Sequence, residues 1–185
     1  MRKVALQVFL VGLVAFTTLS RGFADEHKTY TSSGSYFNYS IEYPSNWVPT
    51  PTGMFGFVRF LARAPSGRLL EDSVWVSVFD ASKKPWTLEK FVAVTKKIGP
   101  VGISPFKILD EGEARISNRL GWFLSYEGDE GDPLGIKGPR KVKAKKYIVL
   151  SGTTFYELQY TAAEENYEKY LREAEELMQS LKIAQ

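Results

Sequence analysis

The sequence has no cysteine and one histidine in 185 residues. The lack of cysteine excludes disulfides, thiol redox chemistry and Cys-ligated zinc. It also excludes lipid attachment at a cysteine after an export signal. The lone His27 sits at the start of the expected mature chain, on a polar stretch. Ser-His-Asp and Cys-His catalysis both need a positioned imidazole, which such a stretch does not supply. A Gly-rich phosphate loop, an HExxH helix and a G-x-S-x-G elbow are all missing. Long apolar runs are nearly absent too, the exception being Val4 to Leu19.

That run follows Met1-Arg2-Lys3 and precedes Gly22-Phe23-Ala24, which places small residues where a signal peptidase reads. This is the three-part pattern of a secretory signal peptide over 1–24. The run is shorter than the ~20 residues of a typical spanning helix, so cleavage before Asp25 is expected rather than anchoring. The formal charge of +3 is then misleading. Arg2, Lys3 and Arg21 all lie in the signal, and their removal leaves 21 basic against 21 acidic residues. A neutral exported chain is not expected to bind nucleic acid. The remaining residues suffice for one core. The expected organisation is a flexible leader over 25–35 and a single domain over 36–185, acting as a monomer.

Phe37, Tyr39, Ile41 and Tyr43 alternate with polar residues, the period of a half-buried strand. Pro44 lacks a ladder donor and ends it. Trp47 is expected to fold back on that strand's apolar face. Pro49 to Gly56 reads as a loop. Phe57–Arg63 and Ser73–Phe79 read as strands, the second apolar on both faces and therefore central. Met54, Phe55 and Phe57 form an aromatic lip if exposed and the start of the next strand if buried; burial is expected. Thr87 caps a helix that Gly99-Pro100 stops. Phe106–Ala114 and Leu120–Tyr126 make a hairpin through Ser117-Asn118. A loop from Glu127 to Pro139 leads to strands over Lys141–Leu150 and Thr153–Tyr160. Thr161-Ala-Ala-Glu164 has the form of a capping box. It opens a final helix with Tyr167, Tyr170, Leu171, Ala174, Leu177, Met178 and Leu181 on one stripe. The fold class is α+β, an antiparallel β-sheet flanked by helices.

Three stretches in this order, Tyr39-x-Ile41-x-Tyr43-Pro44-x-x-Trp47, the hairpin Tyr147 to Tyr156, and Tyr167 to Ile183, resemble the PsbP-like superfamily. It includes the PsbP subunit of photosystem II, the Ran-binding Mog proteins and bacterial envelope proteins of the DcrB type. The resemblance implies an α/β/α sandwich of PsbP-like type and a non-catalytic adaptor that docks onto a protein complex at an envelope or membrane surface. The missing signal cysteine departs from lipoprotein members. The short signal points to a bacterial envelope, in the periplasm or beyond.

Two charged stretches are the candidate sites. Lys137, Arg140, Lys141, Lys143, Lys145 and Lys146 crowd one segment. Lys141, Lys143 and Lys145 alternate with Val142 and Ala144, so they line one strand face. Such a row protects an edge strand or docks on an acidic protein or anionic lipid heads. Glu127, Asp129, Glu130 and Asp132 put four carboxylates within six residues, with glycines between. Hard oxygen ligands on a loop suit calcium, although the spacing is not that of an EF-hand. A solvated loop is the favoured alternative, so no cofactor is expected and calcium stands second. N-terminal sequencing of the exported protein should return Asp25; Met1 recovered from a membrane fraction would show an anchor instead.

Overall fold

The computed structural model describes residues 26–52, 56–64, 66–67, 69–84, 86–100, 102–131 and 138–184. Residues 1–25, where the signal peptide is expected, lie outside them. So do Met54, Phe55, Asp132 and Lys137.

β1 (His27–Gly34) pairs antiparallel with β2 (Phe37–Pro44) in an unbroken register. The leader expected over 25–35 is therefore mostly strand. Its Ser/Thr/Gly composition reads as loose because its side chains are largely exposed; the main-chain ladder to β2 orders it. β2 keeps Phe37, Tyr39, Ile41 and Tyr43 buried, as their alternation predicts. After Pro44 the chain turns through Ser45-Asn46 into β3 (Trp47–Pro51), which pairs with β4 (Val58–Arg63). The loop expected from Pro49 is thus partly strand. β3 is the outermost strand of its sheet, where proline is tolerated because the outward side needs no donor.

β5 (Leu69–Asp80) leads to α1 (Leu88–Ile98), capped by the Thr87 hydroxyl and ended by Gly99 at φ 75°. β6 (Ile103–Ile116) and β7 (Arg119–Glu130) form a hairpin through Ser117 and Asn118, both at positive φ. β8 (Arg140–Ser151), β9 (Thr154–Ala163), α2 (Glu164–Gln179) and a short β10 (Lys182–Ile183) follow. The large sheet runs β3-β4-β5-β9-β8-β7-β6; a smaller one runs β1-β2-β10.

The helices lie on opposite faces of the large sheet. Val74, Val76, Tyr147, Val149, Tyr156 and Leu158 share a core with Tyr167, Tyr170 and Leu177 of α2 and with the apolar side of β2. The other face holds Leu124, Tyr126, Ile148 and Phe155 under Val92 and Phe91 of α1. The expected antiparallel sheet with flanking helices is the observed fold, with the small sheet sharing the side of α2.

The α2 start differs from a capping box. Thr161 is still in β9 and accepts a bond from Gln159 Nε2 at 3.1 Å. The cap residue is Ala163, with no side-chain cap of its own. Asp72 of β5 serves instead: its Oδ1 accepts the Ala163 amide at 2.9 Å and its Oδ2 accepts Asn166 Nδ2 at 2.9 Å. At the other end Ser180 bridges to β2, accepting the Glu42 amide at 2.8 Å.

Trp47 is 1% exposed, and its indole N–H donates to Glu173 Oε2 of α2 at 2.8 Å. Ring burial and that bond together lock the corner after Pro44 to the helix. Trp47→Ala should therefore cost about 3–5 kcal/mol, measured by denaturant unfolding. A loss under about 1 kcal/mol would mean that this corner is not a packing point.

Candidate functional site

The two charged stretches are not two sites but two rungs of one ladder. β7 continues to Glu130, so Glu127, Asp129 and Glu130 lie on a strand rather than a loop. Antiparallel pairing sets Glu127 opposite Lys143, Asp129 opposite Lys141 and Glu130 opposite Arg140. Across-strand opposite charges are favourable neighbours. Gly128 is not a bend for ligand binding either. A Cβ there would come within 2.5 Å of the Pro105 carbonyl, so glycine lets β6 approach.

Each described cation of the basic stretch has an acidic partner. Lys141 Nζ lies 2.6 Å from Asp129 Oδ1, and that bond raises the lysine above its ordinary range. Arg140 Nη2 meets Glu130 at 2.5 Å, and its Nη1 reaches Asp72 at 3.4 Å and Glu71 at 3.7 Å. Lys143 lies 3.7 Å from Glu164 in the first turn of α2. Lys145 bonds Glu175 of α2 and lies over the rings of Phe123 and Tyr147. Burial opposes the charge on Lys145, but Glu175 and Tyr147 outweigh it and the net direction is up. Lys146 faces the α1 side and pairs with Glu157 at 3.1 Å, both largely buried. β8 is an interior strand, so the edge-protection reading fails. Lysines fit there because the acids of β7, β9 and α2 surround them.

The acidic residues are engaged likewise. Glu127 pairs with Lys107 of β6 at 3.2 Å. Beside it a depression of about 220 Å³ is lined by Pro105, Phe106, Lys107, Glu127, Gly128, Asp129 and Lys141. It offers two cations and two carboxylates in mutual contact. Among the described residues, no three His, Asp or Glu side chains converge as metal ligands. The fourth acid, Asp132, lies outside these residues. His27 opens β1 and is exposed.

Asp72 went unnoticed in the sequence. It is 1% exposed and binds β8, β9 and α2 together through Arg140, Ala163 and Asn166. A single aspartate before an apolar strand carries no signal of this. Phe57, expected to be buried, is half-buried and packs edge-on against Phe79 at 5.6 Å between ring centres.

No family model and no curated relative matches this sequence. Solved structures do match in fold. The solution structure of cyanobacterial PsbP from Synechocystis sp. PCC 6803 aligns with a TM-score of 0.57 at 15% identity, covering 89% of this chain and 98% of that one. The Saccharomyces cerevisiae Ran-binding protein Mog1p aligns at 0.56 and 8% identity, over 86% and 96%. A Pseudomonas aeruginosa protein of unknown function, PA94, aligns at 0.53 and 15%, over 82% and 94%. The chain has the PsbP-like fold.

Two measurements test this geometry. Arg140→Ala leaves the buried Asp72 short of a donor, and stability should fall by about 1–3 kcal/mol, the cost of an under-satisfied buried group. A neutral result would show that Ala163 and Asn166 suffice. The second is alkaline stability. Burial raises the hydroxyls of Tyr39, Tyr126, Tyr160 and Tyr167. Above about pH 10 the unfolded chain releases these protons while the folded chain keeps them, so unfolding gains. The raised lysines Lys141 and Lys145 act in the same direction, since their stabilisation is lost as pH rises through the folded value. Tyrosinate absorbance and circular dichroism should change together above pH 10; tyrosines titrating with the fold intact would contradict their burial.

Proposed function

We propose that this chain is an exported, non-catalytic binding module that docks on a protein complex at a bacterial envelope. The fold carries this reading: it is that of PsbP and of Mog1p, the latter a Ran-binding protein by name. The charged ladder supports it. Its polar side chains hold one another and so suit recognition better than bond-making. Arg140, Lys145 and Lys146 are tied to structural partners. Lys107 and Lys141 are 72% and 73% exposed at the side chain and rim the depression. These two, Lys141 of the basic stretch and Lys107 of β6, are the proposed contact. Among the described residues, no helix is long and apolar enough to cross a membrane.

Calcium binding at Glu127, Asp129, Glu130 and Asp132 is the alternative. It would require Lys107, Lys141 and Arg140 to give up their partners. In crosslinking from its own envelope, the tagged protein should capture one complex, less as salt rises. The Lys107→Gln/Lys141→Gln double variant should lose that capture with its fold and Tm essentially unchanged, since exposed ion pairs contribute little to stability. Full capture by the double variant would reject this contact. Micromolar calcium binding seen by calorimetry, and lost in Asp129→Asn, would favour the alternative.

A further inference from the structure

Among the described residues, the cations without a counter-ion lie away from β8. At the end of the large sheet where β5 meets the α1 loop, Phe155 stands opposite Phe79 on one side and Leu150 on the other. Leu120 lies one place beyond the Gly121–Val149 pair, next in the same row. Phe91 of α1 stacks on Phe155 at 4.1 Å, Trp86 packs on Phe91 at 5.9 Å, and Phe57 packs on Phe79. Phe155 and its neighbours fill the core, yet the ends of the row stay open: Phe79 is 37% exposed and Leu120 52%. Half-buried Trp86 and Phe57 continue this apolar lip.

Three lysines flank it. Lys83 and Lys84 are exposed on the loop before Trp86, and Lys90 lies 5.4 Å over the Trp86 ring. None has an ion pair among the described residues, in contrast to every described cation of β8. The nearby acids bond neutral donors and stay charged: Asp80 accepts from the Ser82 amide and hydroxyl, and Glu89 is held ionised chiefly by its bond to Thr87, so the three lysines outnumber them and the lip keeps a net positive charge.

We infer that this lip is a docking face for an anionic lipid surface. Aromatic edges with free lysines around them match the headgroup boundary, where rings sit at the interface and lysine stems reach the phosphates. The lysines supply the charge complementarity. The chain's own apolar segment 4–19 is a poorer occupant. It is the apolar part of the expected signal peptide, removed before Asp25, and the described chain starts at the other end of the sheet, where the Glu26 carbonyl accepts the Ser45 amide. This surface is separate from the charged ladder, so it stands or falls apart from the docking proposed above.

The test uses the expected mature chain from Asp25, with circular dichroism and Tm checked for it and for each variant. Sedimentation with phosphatidylglycerol-containing vesicles should show binding, and phosphatidylcholine vesicles alone much less. Lys83→Gln/Lys84→Gln/Lys90→Gln should weaken it on the order of 100-fold, about fivefold per lysine. Leu120→Ser, at an exposed position, should weaken it further with Tm unchanged. Lys107→Gln/Lys141→Gln should leave it intact. Absence of binding to anionic vesicles, or equal binding by the triple variant, would overturn the inference. So would capture of an acidic protein by this face without vesicle binding.

Discussion

Asp72 is a carboxylate almost wholly removed from water, and much of the molecule is arranged to meet its needs. Burying such a group is costly unless donors surround it. The donors come from three places far apart in sequence: Arg140 of β8, the Ala163 amide at the end of β9, and Asn166 in α2. Satisfying one side chain therefore fixes where β8 lies against β9, where β9 stops and where α2 begins. Arg140 extends the network to Glu130 and Glu71. The Tyr160 ring beside it, stacked on Tyr167 at 5.3 Å, seals the junction.

The same logic explains how a strand as basic as β8 can be interior. A row of lysines repels itself unless acids intervene. Here β7 supplies Asp129 and Glu130, α2 supplies Glu164 and Glu175, and β9 supplies Glu157. Solvent-exposed members of such a set each contribute little. Their joint effect is on specificity. A one-residue slip of β8 against β7 would turn every lysine to the wrong face. Charge here selects register, while the two apolar cores supply most of the stability.

This division bears on function. A side chain that is both largely buried and held by a structural partner is poorly placed to bind a ligand. The protein contact proposed for the ladder is therefore confined to its outward lysines, and among the described residues the aromatic lip brings exposed apolar area together with lysines that have no ion pair. The two surfaces lie at opposite ends of the large sheet, one near Glu130 and Arg140, the other near Asp80 and Thr154. A module bound to a protein at one end and a lipid surface at the other would bridge the two.

The local periodicities were legible in the sequence. Alternation in β2 and β5, the helical stripe of α2, the Thr87 cap and the Ser117-Asn118 turn all follow from side-chain period and backbone preference within a few residues. Those features sufficed for an antiparallel sheet with two helices. Ordering of 27–34 was not legible, because a polar strand is fixed by its neighbour's main chain. Nor was Pro49 in a strand, which depends on β3 being an edge. The acidic and basic stretches each read as a free site, since nothing local says that residues 127–130 and 140–143 pair across a hairpin. Asp72 could not be read at all: its partners lie 68 to 94 residues away. The sequence by itself determined which segments are strand or helix and which faces are apolar. The tertiary structure alone decided which charges meet, because a charge's partner is set by long-range register, whereas a hydrophobic face needs only to be covered.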